Sequence, residues 1–152
     1  MKRIVILAIA AAMIAPARAQ LFDFDRPLDR GGRIADYIEQ MRAESGKLHR
    51  IEGDCESSCS IWLGHRPVCV MPTARVWFHS ASDWSAAQFS DGNPWRSMSA
   101  TGNTALMAFY PPKLQRFLTH AGWLNSPELS VAHSLTGLEL AGFGVRLCGE
   151  LR

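Results

Sequence analysis

The sequence has little that would suggest a membrane protein, a repeat protein or a nucleic-acid-binding protein. Beyond its N-terminus it contains no apolar run long enough to span a bilayer, no internal repeat and no low-complexity segment. Its 16 Lys and Arg residues against 14 Asp and Glu residues give a net charge of +2, and no basic stripe marks a nucleic-acid or anionic membrane surface. We therefore expect one domain with no nucleic-acid partner and no stable membrane span.

A metal centre is also poorly supported by the pattern of ligand residues. The four cysteines, Cys55, Cys59, Cys69 and Cys148, contain no Cys-x-x-Cys pair, and no histidine lies at a ligand-like spacing from them. An even number of cysteines favours disulfide bonds in an oxidising compartment, although four cysteines allow three pairings. The sequence thus predicts disulfides, no metal and no cofactor.

The N-terminus has the architecture of a secretory signal peptide. Lys2-Arg3 precedes an apolar run from Ile4 to Ala15, and Ala17-Arg18-Ala19 is a small-residue cleavage pattern. An uncleaved membrane anchor is the alternative. Cleavage would separate a signal peptide, residues 1–19, from a mature domain, residues 20–152. Its three basic residues would leave with it, so the mature chain would carry 13 basic against 14 acidic residues and a net charge of −1. We expect a periplasmic or secreted protein.

Hydrophobic spacing and turn residues predict an α/β layer fold for the mature chain. Strands are predicted at 21–25, 47–52, 67–71, 75–79 and 145–148. Helices are predicted at 33–44, 60–63, 103–110, from Pro112 onwards and at 136–142, and Ser126-Pro127-Glu128 suggests one more helix start.

The stretch 80–102 is polar, rich in Ser and Gly, and long for an ordinary connection. It contains three aromatic residues, Trp84, Phe89 and Trp95. They would either line a substrate groove or pin a long loop to the core, and the second interpretation is the commoner one.

Three local features together suggest acyl-transfer chemistry. Gly31-Gly32 precedes a helix, Ser57 lies in a tight turn of small residues, and His79 ends a strand. A serine at a helix N-terminus meets the dipole and backbone N–H groups that favour developing negative charge. A histidine can act as its base, and a Gly-Gly turn lets backbone amides approach a reacting carbonyl. Each feature alone has an ordinary structural explanation: a helix cap, a buried histidine, a turn.

The order and spacing of these features resemble the Clp protease proteolytic-subunit and crotonase-like superfamily, in particular small periplasmic Clp-like proteins of unknown function. The matching residues are Gly31-Gly32, Gly53-Asp-Cys-Glu-Ser57-Ser-Cys59, Cys69-Val-Met-Pro72-Thr-Ala-Arg-Val-Trp-Phe-His79, Tyr110-Pro111 and Glu139-Leu-Ala-Gly-Phe-Gly144-Val. The resemblance implies short βαβ-type repeats, a central mostly parallel sheet and C-terminal helices.

The resemblance also implies roles for individual residues. Ser57 would be the nucleophile and His79 its general base, and the backbone amides of Gly32 and Ser58 would form the oxyanion hole. The substrate would be a peptide or another acyl compound. Clp-like proteins often form rings or trimers, so a homo-oligomer is a further expectation.

The resemblance implies disulfide partners as well, because it brings the strands of Cys69 and Cys148 near one another. Cys69–Cys148 would then be one bridge and Cys55–Cys59 the other, which would fix the turn that holds Ser57.

Two departures from the family pattern support a second hypothesis. Ala132 stands where the triad aspartate is expected, and Glu128 or Asp83 would have to substitute for it. The segment before the Gly-Gly turn is also short, so the fold would be shortened at its N-terminus and could expose a sheet edge. The alternative is thus a catalytically inactive Clp-like protein that binds or assembles with a protein partner.

Overall fold

The computed structural model describes residues 27–83 and 98–149, which form a mixed α/β domain. Six short strands are present in these residues: β1 (Leu28–Asp29), β2 (His49–Ile51), β3 (Asp54–Glu56), β4 (Val68–Val70), β5 (Arg75–Trp77) and β6 (Ser134–Thr136). The α-helices are α1 (Ile34–Ala43), α2 (Ala100–Met107), α3 (Pro112–Ala121) and α4 (Gly137–Gly142). Three 3₁₀ helices cover Ser57–Gly64, Trp123–Asn125 and Val131–His133.

The central sheet has the order β1-β3-β5-β6. β1 pairs with β3 and β3 pairs with β5 in parallel, whereas β5 and β6 are antiparallel. β2 and β4 form a separate parallel pair, which a single bridge between Val70 and Leu147 extends. The sheet is therefore mostly parallel, as expected, and the strand predicted at 145–148 is reduced to that bridge.

The core lies between the sheet and the helices. Its fully buried side chains include Ile61, Leu63, Val70, Val76, Phe78, Leu106, Leu114, Leu118 and Leu140. The side chains of Leu114 and Leu118 recur at helical spacing on α3, and burying each stabilises the fold by about 1.5–3 kcal/mol. No helix in the described ranges is long and apolar enough to cross a membrane.

Most helices lie where the sequence predicts them. α1 matches the prediction at 33–44, and α3 begins with Pro112 in its first turn, where a missing N–H costs nothing. α2 begins three residues earlier than predicted because the Ser99 side chain accepts a hydrogen bond from the Gly102 amide (3.1 Å) and so caps the helix there.

The predicted helix start at Ser126-Pro127-Glu128 is wrong. The Glu128 amide donates to Ser126 Oγ (3.3 Å), but no helix follows, and the chain instead reaches the 3₁₀ helix Val131–His133. Strands β1, β3 and β6 were not predicted. The predicted strand at 21–25 and the signal peptide lie outside the described residues.

Candidate active site

The three candidate segments follow three neighbouring parallel strands. Gly31-Gly32 comes after β1, Ser57 directly after β3, and His79 two residues after β5. Parallel strands end at the same edge of a sheet, where ligand sites of α/β folds are usually found. Residues far apart in the sequence are thus brought to one edge by main-chain pairing.

Ser57 adopts a backbone conformation that is unusual for a residue with a side chain. Its φ angle is +58°, and it is the one non-glycine residue with positive φ in the described parts of the chain. The left-handed conformation costs roughly 1–2 kcal/mol for such a residue, so the surroundings must impose it. A serine held this way between a strand and a helix is the geometry of a nucleophile elbow, which presents the hydroxyl outward. Ser57 is half-buried.

Two sets of contacts hold this turn in place. The Cys55–Cys59 disulfide brackets Ser57, with the two Cα atoms 5.4 Å apart. The hydroxyl of Ser60 donates to the Ser57 carbonyl oxygen (2.5 Å) and lies 2.6 Å from the buried hydroxyl of Tyr110. Tyr110 belongs to the matching pair Tyr110-Pro111, but its contact with Ser60 was not predicted, since nothing in the local pattern links residues 50 positions apart.

The Gly-Gly bend packs directly onto the elbow. Gly31 has φ +74°, and a β-carbon at this position would lie 2.6 Å from the Glu56 carbonyl oxygen and 2.9 Å from the Ser57 β-carbon. Only glycine therefore fits at position 31, for reasons of both conformation and space. The bend and Ser57 are therefore in direct contact.

Asp29 also fixes this bend, although the sequence did not point to it. Its Oδ1 atom accepts a hydrogen bond from the Gly31 amide (2.9 Å) and another from the hydroxyl of Tyr37 on α1. Burial of Tyr37 and its bond to this carboxylate both raise the pKa of the tyrosine, so its hydroxyl remains a donor. An aspartate two residues before a turn amide is a common local cap and could have indicated the contact.

The two predicted oxyanion-hole amides differ in their hydrogen bonding. The Ser58 amide belongs to the first turn of a 3₁₀ helix, where N–H groups have no partner within the helix. The Gly32 amide instead donates to the Ser58 hydroxyl oxygen (2.6 Å), and that hydroxyl donates to the Gly32 carbonyl oxygen (2.8 Å).

His79 is buried, with 8% of its surface exposed, and faces the same cleft as Ser57. Burial lowers the pKa of its imidazole, and a contact with the Ser80 backbone opposes this in part. Its Nδ1 atom is buried and has no hydrogen-bond partner, and no hydrogen bond joins Ser57 to His79 among the described residues. A neutral imidazole that lines the same cleft as a serine suits a general base, and catalytic hydrogen bonds are often long or poorly aligned before substrate binds.

Neither candidate acid alters the pKa of His79. Asp83 is exposed and lines the cleft, Glu128 is exposed, and Ala132 is exposed in the 3₁₀ helix that precedes β6. Within the described ranges, no carboxylate raises the pKa of His79. Ser57 and His79 are therefore brought to one cleft without a visible third member of a triad.

The cleft has a volume of about 1210 Å³. The polar part of its lining includes the Gly-Gly bend, Ser57 and His79. The helices add apolar residues, with Ile34, Ala35 and Ile38 from α1 and Ala105 and Leu106 from α2. Such a cleft offers an apolar surface to a substrate and a few polar groups to orient it.

The second disulfide, Cys69–Cys148, links β4 to the C-terminal segment across 79 positions, with Cα atoms 4.9 Å apart. Both expected pairs are thus present, as an oxidising compartment would favour. In the described parts of the chain, no cluster of His, Cys, Asp or Glu could hold a metal ion. Trp84, Phe89 and Trp95 lie outside the described residues.

Comparison with known proteins found no relative: no family model, no curated protein and no solved structure matches the chain.

Proposed function

We propose that this protein is an exported serine hydrolase with a Clp-like fold that acts on a peptide or another acyl compound. The single observation that carries the proposal is the left-handed φ angle of Ser57. This residue follows strand β3 directly and lines the same cleft as His79. A strained backbone is retained where the surrounding structure requires it, and such residues cluster at functional sites.

In this proposal Ser57 Oγ attacks the acyl carbon and its proton passes to His79. The Ser58 amide, joined by the Gly32 amide, stabilises the oxyanion. The carbonyl re-forms as the bond to the leaving group breaks, and His79 returns the proton to that group. Water then hydrolyses the acyl-serine by the same route, with His79 again accepting and returning a proton.

A fluorophosphonate probe tests the nucleophile, because it forms an Oγ–phosphorus bond as fluoride leaves. The wild-type protein should be labelled, and Ser57→Ala should not be. Ser57→Gly is a useful companion because glycine tolerates a positive φ angle, so this variant removes the hydroxyl while keeping the turn. Folded wild-type protein that is not labelled would refute the hydrolase.

Export is tested separately from catalysis. Full-length protein expressed in a Gram-negative bacterium should be recovered from the periplasm or medium with Gln20 as its first residue. Recovery with residues 1–19 still attached would contradict the proposed cleavage.

The second candidate function is a catalytically inactive Clp-like protein that binds or assembles with a protein partner. Two observations favour it: no carboxylate in the described ranges raises the pKa of His79, and the Gly32 amide is bonded to Ser58. This candidate predicts that Ser57→Ala changes no phenotype, whereas a charge on the edge strand β1, such as Leu28→Lys, abolishes partner binding. Leu28 is 48% exposed, so the charge should be tolerated by the fold.

A further inference from the structure

The side chain of Ser58 has an unusual pair of contacts. It is 1% exposed, and its hydroxyl forms hydrogen bonds with both backbone polar groups of Gly32. Its hydroxyl oxygen accepts from the Gly32 amide at 2.6 Å and its hydroxyl hydrogen is donated to the Gly32 carbonyl oxygen at 2.8 Å. The hydroxyl therefore fixes the orientation of the backbone on both sides of the Gly32 α-carbon.

These contacts determine where the Gly32 amide points. Gly32 itself is exposed and lines the cleft, but its amide hydrogen is directed at an oxygen that the cleft does not reach. Hydrogen bonds weaken steeply when the donor is not aligned with its acceptor, so one amide cannot serve a buried hydroxyl and a substrate oxyanion together. The Gly31 amide is likewise used, by Asp29 (2.9 Å).

The peptide between Gly31 and Gly32 is the part of the bend best suited to change orientation. Glycine on both sides removes the β-carbons that restrict rotation of a peptide plane in other sequences. Turning this one peptide would direct the Gly32 amide into the cleft, without moving the elbow that Gly31 contacts. The bond to Ser58 is the interaction that such a rotation would have to break.

We propose that Ser58 is a positioning residue that controls whether the Gly32 amide can serve the oxyanion. In the structure its hydroxyl holds this amide away from the cleft, and an acyl substrate must compete for it. The inference rests on the proposed function, because an amide at this place matters only if Ser57 attacks a carbonyl. It assigns to the Ser58 side chain a role distinct from that of its backbone amide.

Hydrogen exchange of the Gly32 amide, followed by NMR of ¹⁵N-labelled protein, tests the geometry without any activity. The amide should exchange at least about tenfold more slowly in the wild type than in Ser58→Ala, although the residue is exposed in both. Ser134→Ala is a matched control, since it removes another buried serine hydroxyl, which bonds Arg75 and Val131 instead. Fast exchange of this amide in the wild type would overturn the proposal without reference to any variant.

Reactivity tests the consequence. Ser58→Ala should be labelled by the fluorophosphonate about tenfold faster than the wild type or Ser134→Ala, since one oxyanion donor typically changes kcat by about 10²–10³. With an ester substrate, kcat should rise while KM stays unchanged, which a merely structural role would not produce. A labelled wild type whose rate does not rise in Ser58→Ala would overturn the inference. Absence of labelling in both proteins, with the expected exchange pattern, would overturn the proposed function instead.

Discussion

Gly31 and Ser57 are in contact, and both have positive φ angles, +74° and +58°. A β-carbon at Gly31 would lie 2.9 Å from the β-carbon of Ser57 and 3.0 Å from the Ser58 nitrogen. The bend and the elbow therefore share one tightly packed contact, so a change in either is transmitted to the other.

Replacing Gly31 with alanine should both destabilise the protein and disturb the elbow. The new methyl group meets backbone atoms, and alanine disfavours the left-handed conformation, so the free energy of unfolding should fall by about 1–3 kcal/mol. Urea denaturation measures this, and labelling of Ser57 should slow in parallel. Gly142→Ala is the control, because nothing lies within 4 Å of a β-carbon at that position and its φ angle is not positive. Equal stability of the two variants would contradict the packing argument.

The two disulfides should differ in what they stabilise. In a chain-entropy model, the bridge between Cys69 and Cys148 should contribute about 4–5 kcal/mol, because it closes a long loop. The short loop closed by Cys55 and Cys59 should contribute only about 2 kcal/mol. Replacing each pair with alanine and measuring urea unfolding tests the order.

The two disulfides should have the opposite order of importance for the labelling rate of Ser57. Loss of Cys55–Cys59 should slow labelling of Ser57 more than loss of the longer bridge, because the short bridge brackets the elbow. If removing Cys69–Cys148 slows labelling more than removing Cys55–Cys59 does, in protein that is still folded, this role of the short bridge is wrong.

The pH dependence of labelling reports the environment of His79. Burial holds the pKa of this imidazole below its ordinary value of 6.5, so the neutral base persists to lower pH than in a peptide. The labelling rate should therefore reach half its plateau below pH 6.5. A midpoint at or above 6.5 would show that a carboxylate pairs with the ring after all.

The same shift affects stability, with a definite sign. The unfolded chain binds a proton on this ring at a higher pH than the folded chain does. The stability associated with the neutral ring is fully present above pH 6.5 and is lost as the pH falls towards the folded-state pKa. Burial also lowers the pKa of His49, so stability measurements should include His49→Gln to separate the two rings.

A carboxylate placed at position 132 should strengthen the site. In the antiparallel register of β5 and β6, Trp77 faces Ser134, and the Phe78 amide donates to the His133 carbonyl oxygen (2.8 Å). Ala132 precedes this strand in the 3₁₀ helix Val131–His133, so its side chain comes opposite His79 only if the antiparallel register continues for one more pair. Ala132→Asp should raise the pKa of His79 and speed labelling by at least about tenfold, since loss of the orienting acid commonly costs about 10⁴ in kcat.

Ala132→Asn is the matched control, because it has the same shape without the charge. Residue 132 is exposed, so neither side chain should disturb the core. If Asp and Asn have the same effect on both the pKa and the rate, the register argument is wrong.

The sequence predicts those parts of the fold that depend on local signals. The apolar spacing of Ile34, Ile38 and Met41 is sufficient for α1, and Pro112 marks the start of α3 because proline suits the first helical turn. The disulfide partners followed from the resemblance and not from spacing.

Strands β3 and β6 could not be recognised in this way. Each has three residues, which is too short to show a period of two, and their stability comes from pairing with β5. The left-handed φ angle of Ser57 likewise depends on contacts with distant residues, namely Gly31 and, through Ser60, Tyr110. The residue types of the site were therefore predictable, whereas the orientation of the Gly32 amide was not.

The pairing of β1, β3 and β5 makes the spacing of the site a property of the main chain. Peptide groups carry this pairing, so a side chain that follows a strand without a special backbone conformation, such as that of His79, can be exchanged without altering the distances between the strands. A library varied at positions 79 and 132 would sample different chemistries beside Ser57 on one unchanged frame. Selection could therefore remove an activity from this scaffold, or restore one, without having to rebuild its architecture.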